Sequence, residues 1–126
     1  MATGNFVLDK GYAAAAAVTK YRAVKMSAEE TVTPVTAKTD VVQGVAQYDV
    51  ASGEITKGKL ASVRVMGATE FETNGVCTVG GLAGLNADGT CHDAVTGDRV
   101  IGIFRQGASG AGNRASVQLG LPGNII

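Results

Sequence analysis

The chain has 126 residues, which suits one ordinary domain whose core needs neither a metal nor several disulfides. Eleven basic side chains balance eleven acidic ones, so no net charge attracts the protein to nucleic acid or to anionic lipid. No apolar run approaches the roughly 20 residues that span a bilayer, and the first residues lack the basic start and long apolar stretch of a signal peptide. This indicates assembly in the cytoplasm, where Cys77 and Cys91 should be reduced thiols.

The first twenty residues differ from the rest of the sequence. They hold a run of alanines at 13–17 and no alternating pattern, and up to Met26 the basic side chains are opposed by Asp9 alone. Alanine favours helix, but a run this short does not persist as a helix by itself. We therefore expect residues 1–20 to form an extended N-terminal arm that carries binding more than folding, with a frayed end as the alternative. Residues 21–126 are then a single β-rich domain.

Apolar and polar residues alternate at 61–65 and 114–121, which predicts half-buried strands. Residues 100–104 form a short apolar run that suits a strand buried on both faces, and residues 41–46 are a weaker version of it. Turn signals such as Asp88-Gly89 and Thr96-Gly97 fall between them. No window of helical length carries an apolar stripe with caps, so helix should be minor. The pattern predicts an all-β fold, a small β-barrel or sandwich of short strands.

Three segments of the first part of the chain recur in the same order in the second part. Residues 26–32 match 85–91, residues 40–45 match 98–103, and residues 61–65 match 115–119. This predicts an internal duplication in which each half supplies the same strands and the two halves close one shared core. Chance similarity among valine- and glycine-rich strands is the alternative.

The most suggestive chemical group is the trio Cys91, His92 and Asp93, which contains the sole histidine. Adjacent residues of a strand point to opposite faces, so the cysteine and the histidine should not converge as a nucleophile and its base. The repeat places Cys91 where Val32 stands, as a core residue, and His92 where Thr33 stands, as a surface residue that no partner makes a base or a ligand. We therefore expect no catalytic residues and no enzyme.

Cofactor and metal sites are not expected either. The two cysteines and His92 lack the spacing of a zinc site. Residues 110–115 fit the letters of a dinucleotide fingerprint, but they lead into a predicted strand and not into a helix whose N-terminus could hold a pyrophosphate. We expect a turn there.

Several of these segments resemble tailed-bacteriophage head decoration (capsid cement) proteins. The family pattern includes a “GVA” strand, a “VRV-x-G” strand and a late “VIGI” strand, in that order. This sequence has Gly44-Val45-Ala46, then residues 63–67, then residues 100–103, within a similarity that covers about residues 6–121. The pattern carries structural positions and no catalytic residues.

The resemblance implies a structural virion protein that binds the exterior of an assembled phage head and stabilises the capsid lattice. Residues 21–126 would be the capsid-binding domain. The partners would be the major capsid protein and further copies of the chain, as a homotrimer, on the outer surface of the capsid. Two other classes stay open: a β-rich tail, fibre or surface-adhesion module that binds a receptor or glycan, and a small-ligand-binding barrel with an interior pocket.

Overall fold

The computed structural model describes residues 6–120 and 123–126, and it confirms the all-β prediction. Leu121, placed in the last predicted strand, lies outside the described residues. A single helical turn, α1 (Ser52–Ile55), interrupts the strands. The strands of the first half are β1 (Leu8–Ala14), β2 (Ala23–Ala28), β3 (Thr31–Pro34), β4 (Gly44–Ala46) and β5 (Ala61–Met66). Those of the second half are β6 (Ala68–Glu72), β7 (Leu82–Leu85), β8 (Cys91–Asp93), β9 (Val100–Gln106) and β10 (Arg114–Leu119).

The first five strands close a barrel in the order β1-β3-β2-β4-β5. Strand β1 runs antiparallel to β5, with Tyr12 opposite Ala61, and parallel to β3, with Ala14 opposite Val32. Closure leaves this half without a free strand edge. The interior is filled by a cluster of buried side chains: Tyr12, Ala14, Val18, Val24, Val32, Ala46, Val50, Ala61 and Val63.

The N-terminal segment belongs to this barrel, so the prediction of an arm that stands apart from the core is wrong for residues 6–20. Tyr12 and Val18 are each 3% exposed, and the Gln43 side-chain amide donates to the Tyr12 hydroxyl at 2.8 Å. The physical reason is that β1 fills the gap between β3 and β5, which would otherwise leave two open edges. Residues 1–5 of the predicted arm lie outside the described residues.

The second half repeats the topology of the first. Its strand order, β6-β10-β9-β7-β8, reproduces β1-β5-β4-β2-β3. The registers agree as well: Val24 lies opposite Gly44 in the first half, and Ala83 lies opposite Gly102 in the second. These pairs are related by the same offsets as the sequence matches, so the internal duplication is confirmed. We call residues that share a place in the two halves counterparts.

The glycines of the fourth strand in each half allow close approach of the neighbouring strand. A Cβ on Gly44 would collide with the Arg64 carbonyl oxygen, and a Cβ on its counterpart Gly102 would collide with the Gln118 carbonyl oxygen. The glycines of the “GVA” and “VIGI” segments are therefore required by strand packing.

Left-handed backbone also recurs at counterpart positions. Tyr21 has a φ of 62° and its counterpart Gly80 a φ of 79°, whereas Glu30 has a φ of 50° and its counterpart Gly89 a φ of 86°. Glycine adopts this conformation without strain and the other residues do not. The chain thus bends in the same way at the same places, even where the first half uses a bulky residue.

The buried apolar residues form two clusters and not the single shared core that was expected: one lies inside the first barrel, and the other is built mainly from the second half. The core cluster of the second half extends into the first half through residues that lie outside the first barrel's interior. We call these residues the inner face of the first half: Ala23, Val35, Val42 and Val45.

The backbone of residues 21–23 inserts into the second half. The Glu72 N–H donates to the Tyr21 carbonyl oxygen at 2.8 Å, and the Ala23 N–H donates to the Gly89 carbonyl oxygen at 2.8 Å. The Arg22 side chain adds an ion pair with Glu72 at 2.7 Å. Residues 21–23 therefore stand between β6 and the turn that precedes β8.

In the first half no segment is inserted at the corresponding place, and β1 bonds directly to the turn that precedes β3. The Ala13 N–H donates to the Glu30 carbonyl oxygen at 3.0 Å, and these two residues are the counterparts of Glu72 and Gly89. The insertion explains why the first half is a closed barrel and the second is a five-stranded sheet.

Replacing Tyr12 by alanine tests the place of β1 in the core. The change should lower the free energy of unfolding by about 3–5 kcal/mol, because it removes a buried aromatic side chain and leaves a cavity. Tyr48→Ala is the matched control, since Tyr48 is 64% exposed and its loss should change stability by about 0.5 kcal/mol or less. Urea denaturation measures both. Equal stability of the two variants would contradict the assignment of β1 to the barrel.

Candidate interaction surfaces

The trio Cys91, His92 and Asp93 does not converge on a common point. Cys91 is fully buried in the core of the second half. The His92 Nε2 lies 2.7 Å from an Asp98 carboxylate oxygen, and Asp93 accepts a hydrogen bond from the Thr78 hydroxyl at 2.6 Å. Neighbouring side chains point apart, as the alternation of a strand predicts.

The His92 side chain is only 20% exposed and its ring is bonded to Asp98, so its interpretation as a surface residue is wrong. Asp98 is 2% exposed, and it also accepts the Val95 N–H at 2.9 Å. Burial raises the pKa of Asp98, but the hydrogen bonds from Val95 and His92 outweigh it and hold the pKa below its ordinary value. The carboxylate thus ties β8 to the turn that follows it. The other ring nitrogen of His92, Nδ1, has no hydrogen-bond partner among the described residues.

Both cysteines are free thiols inside the second half. Cys77 Sγ lies 3.9 Å from the Cys91 carbonyl oxygen, and burial raises the pKa of both thiols. Their counterparts are Val18 and Val32, which lie in the first barrel's interior. The two cysteines therefore fill apolar positions, as the repeat predicted for Cys91.

The glycine-rich segment that resembles a dinucleotide fingerprint is a turn before β10, as predicted. The Thr73 hydroxyl donates to the Gly110 carbonyl oxygen at 2.7 Å, which ties the turn to the end of β6.

A groove of about 390 Å³ lies on the second half, lined by Ala68, Thr69, Glu70, Arg105, Gln106 and Ser116. In the part of the chain that the structure describes, no group of three metal-ligating side chains occurs, and no helix is long and apolar enough to cross a membrane.

The basic side chains near the N-terminus are largely neutralised within the molecule. Lys10 pairs with Glu30 at 3.0 Å, and Lys25 pairs with Asp40 at 3.0 Å. Together with the Arg22–Glu72 pair, these contacts reduce the positive balance that the sequence suggested for an acidic partner. Apolar contact is therefore a better candidate for binding at this end.

Two groups of exposed apolar side chains stand out. In the first, Phe6 is 89% exposed, and Leu8 lies opposite Met66 with both more than half exposed. We call Phe6, Leu8 and Met66 the N-terminal patch. In the second, Leu82 lies opposite Ile103, and both are about half exposed, so the expectation that residues 100–104 are buried on both faces is wrong at Ile103. Uncovered apolar groups of this kind are typical of interaction sites.

The fold, more than the sequence, resembles a known protein. No protein-family model matches the chain, and no curated protein matches it. Among solved structures, the N base of head fiber gp8.5 in bacteriophage phi29 matches with a TM-score of 0.68 and 17% sequence identity. The match covers 96% of this chain and 100% of that chain, so the two share a fold over nearly their whole lengths.

Replacing His92 by alanine tests the pair with Asp98. The change should lower the free energy of unfolding by about 1–3 kcal/mol, because it leaves a buried carboxylate short of one hydrogen-bond donor. Thr33→Ala is the matched control, since Thr33 is the counterpart of His92 and lies on the equivalent strand. Thermal or urea unfolding at pH 7 measures the difference. If the two variants lose the same stability, the His92–Asp98 bond contributes nothing.

Asp40 gives a pH-dependent prediction. Hydrogen bonds from the Thr36 and Ala37 N–H groups and the Lys25 ammonium lower the pKa of Asp40 to about 2, against the opposing effect of burial. A lowered folded-state pKa stabilises the fold above the ordinary pKa and ceases to do so as the pH falls through the lowered one. Asp40→Asn should therefore cost about 1–2 kcal/mol at pH 7, discounted because the side chain is 20% exposed. The difference from wild type should shrink below about pH 4, and most of it should be lost by pH 2, where the Asp40 carboxylate is half protonated. A difference that is constant over this range would contradict the mechanism.

Proposed function

We propose that this chain is a structural protein of a phage virion that binds the exterior of the assembled head and stabilises the capsid lattice. The observation that carries the proposal is the fold shared over 96% of the chain with the N base of a phage head fiber. The segments that resemble capsid cement proteins are a second line of support. They form β4, β5 and β9 of the duplicated fold.

The mechanism requires no chemistry beyond binding. A protein that binds the assembled lattice and not its free subunits stabilises the lattice by RT ln(1 + [L]/Kd) at each site. Many copies that each bridge neighbouring capsid subunits add these contributions and resist the outward pressure of packaged DNA. A compact molecule with a closed barrel and tied turns suits this role, because little of it must become ordered on binding.

The N-terminal patch is the surface that we assign to the major capsid protein. Phe6, Leu8 and Met66 form an apolar area at the outer end of β1 and β5. One such contact is small, so binding gains from several linked copies, which raise the effective concentration of each further contact. A homotrimer on the local three-fold positions of the shell meets this requirement through closed symmetry.

The second candidate function is the base of a fibre attached to the head. The matched structure is itself described as the base of a head fiber, and the same fold in that role would hold a receptor- or glycan-binding element outward. A tail or surface-adhesion role differs from both, because it requires binding to a host surface and not to the capsid.

Binding to purified heads that lack the protein tests the proposal. The wild-type protein should co-sediment with heads at a saturating, fixed ratio, and the loaded heads should release DNA at a higher temperature than bare heads. Phe6→Ser should bind more weakly, by about tenfold if the N-terminal patch is a main contact. Leu60→Ser is the matched control, since Leu60 is 59% exposed outside the patch.

Failure of the wild type to bind heads, together with binding to host cells or glycans, would replace the proposal by the adhesion function. Binding to heads without any gain in their heat resistance would favour the fibre base. Equal binding by Phe6→Ser and wild type would move the capsid contact to another surface.

A further inference from the structure

The second half exposes a pair of side chains whose counterparts are buried. Leu82 and Ile103 lie opposite each other in β7 and β9 and are 46% and 49% exposed. Their counterparts, Ala23 and Val45, also lie opposite each other, and both are fully buried against the second half. The same place in the duplicated fold is thus an internal contact in one half and an uncovered apolar pair in the other.

The backbone at this place is oriented alike in the two halves. The Leu82 carbonyl oxygen accepts the Ala94 N–H at 3.0 Å, so the Leu82 N–H, on the same side of its strand, faces away from β9. The Ala23 N–H faces away from β4 in the same way and reaches Gly89 in the second half at 2.8 Å. The Leu82 N–H therefore lies on the β8 side of its strand, as the Ala23 N–H lies on the β3 side of its own.

The first half carries a surface that corresponds to the receiving side of the internal contact. Inside the molecule, the inner face of the first half belongs to one cluster with Leu85 and Leu119 of the second half. Their counterparts in the first half are Met26, which is 39% exposed, and Val65, which is half-buried. The first half thus buries the surface of Ala23 and Val45 and leaves that of Met26 and Val65 uncovered. The second half buries the surface of Leu85 and Leu119 and leaves that of Leu82 and Ile103 uncovered.

We propose that a second copy of this chain covers the Leu82–Ile103 pair, seating its first half there through the surface around Met26 and Val65. This inference rests on the self-association proposed above and identifies the surfaces that make it. The contact is head-to-tail, because it joins unlike surfaces of the two copies, as the internal contact joins unlike surfaces of the two halves. Contacts of this kind generate a ring when the rotation between copies closes.

The copy-to-copy contact differs from the internal one in how close the backbones come. In the first half, the Ala13–Glu30 hydrogen bond already joins β1 to the turn that precedes β3. The backbone of a second copy therefore does not insert there. The larger side chains fit this difference: Leu82 and Ile103 extend further than Ala23 and Val45. The contact consists of apolar side chains meeting across a wider gap.

The polar rim also differs. Across the internal boundary the Gln47 side-chain amide donates to the Thr69 hydroxyl at 2.9 Å. The counterparts of Gln47 and Thr69 are Arg105 and Lys10, and Lys10 is already paired with Glu30 at 3.0 Å, so this hydrogen bond has no equivalent between copies.

Sedimentation velocity on the free full-length protein tests the inference, at concentrations up to about 1 mM, where contacts with millimolar Kd are populated. The wild type should associate, and Ile103→Asp should weaken association by about tenfold or more. Leu60→Asp should associate like wild type, since Leu60 is also exposed, at 59%, but lies at the other end of β5 from Val65. A wild type that stays monomeric, or an Ile103→Asp variant that associates normally, overturns the inference.

Disulfide trapping tests the direction of the contact. Met26→Cys and Ile103→Cys should cross-link when the two variants are mixed and oxidised, and neither should cross-link alone. The native cysteines are buried and give little background. Dimers of Ile103→Cys alone would show a face-to-face contact and overturn the head-to-tail arrangement. Neither measurement uses heads, so their failure leaves capsid binding standing, and a failure of capsid binding leaves this contact to be measured by itself.

Discussion

The insertion of residues 21–23 between Glu72 and Gly89 is the contact that makes one molecule of two similar halves. Two backbone hydrogen bonds of 2.8 Å and an ion pair of 2.7 Å meet there. Tyr21 adopts a left-handed φ of 62° at this place, which costs about 1 kcal/mol or more for a bulky residue. The Arg114 guanidinium of the second half lies 4.6 Å from the centre of its ring, so contacts from both halves hold the strained residue.

The two halves differ most at one place: between β1 and β3 in the first half, and between β6 and β8 in the second. In the first half β1 and β3 pair with each other, whereas the second half takes in residues 21–23 of the first half at the same place. Strand edges left open tend to pair with other chains, and the two arrangements deal with the same edge in different ways. The uncovered features at these places are therefore side-chain patches and not free strand edges.

The sequence predicts β4, β5, β9 and β10 and the duplication, because alternation, apolar runs and glycine placement are local signals. The pattern at 61–65 and 115–119 predicts β5 and β10, and the matched segments predict the duplication. Strand β1 was missed because its inward residues, apart from Tyr12, are small and its partners β3 and β5 are distant in the chain. Closure of a barrel is a property of pairing between segments, which alternation within one segment does not reveal.

The surface features were harder to foresee. The partner of His92 lies six residues further on, across a turn, and a signal for it was present: Asp98 is the counterpart of Asp40, and both accept backbone N–H groups of the preceding turn. The exposed pair Leu82 and Ile103 could not be told from core residues, since apolar side chains in strands usually mark buried positions. Burial of such positions depends on how the halves meet, and that is not a local property.

The order of the strands along the chain has a consequence for synthesis on the ribosome. All five strands of the closed barrel lie within Leu8–Met66, so every pairing partner of the first half has been made before β6 emerges. Domains synthesised first generally fold first. A barrel that has folded at that stage presents residues 21–23 before Glu72 and Gly89 are made. The second half can then form its hydrogen bonds to a part of the chain that is already folded.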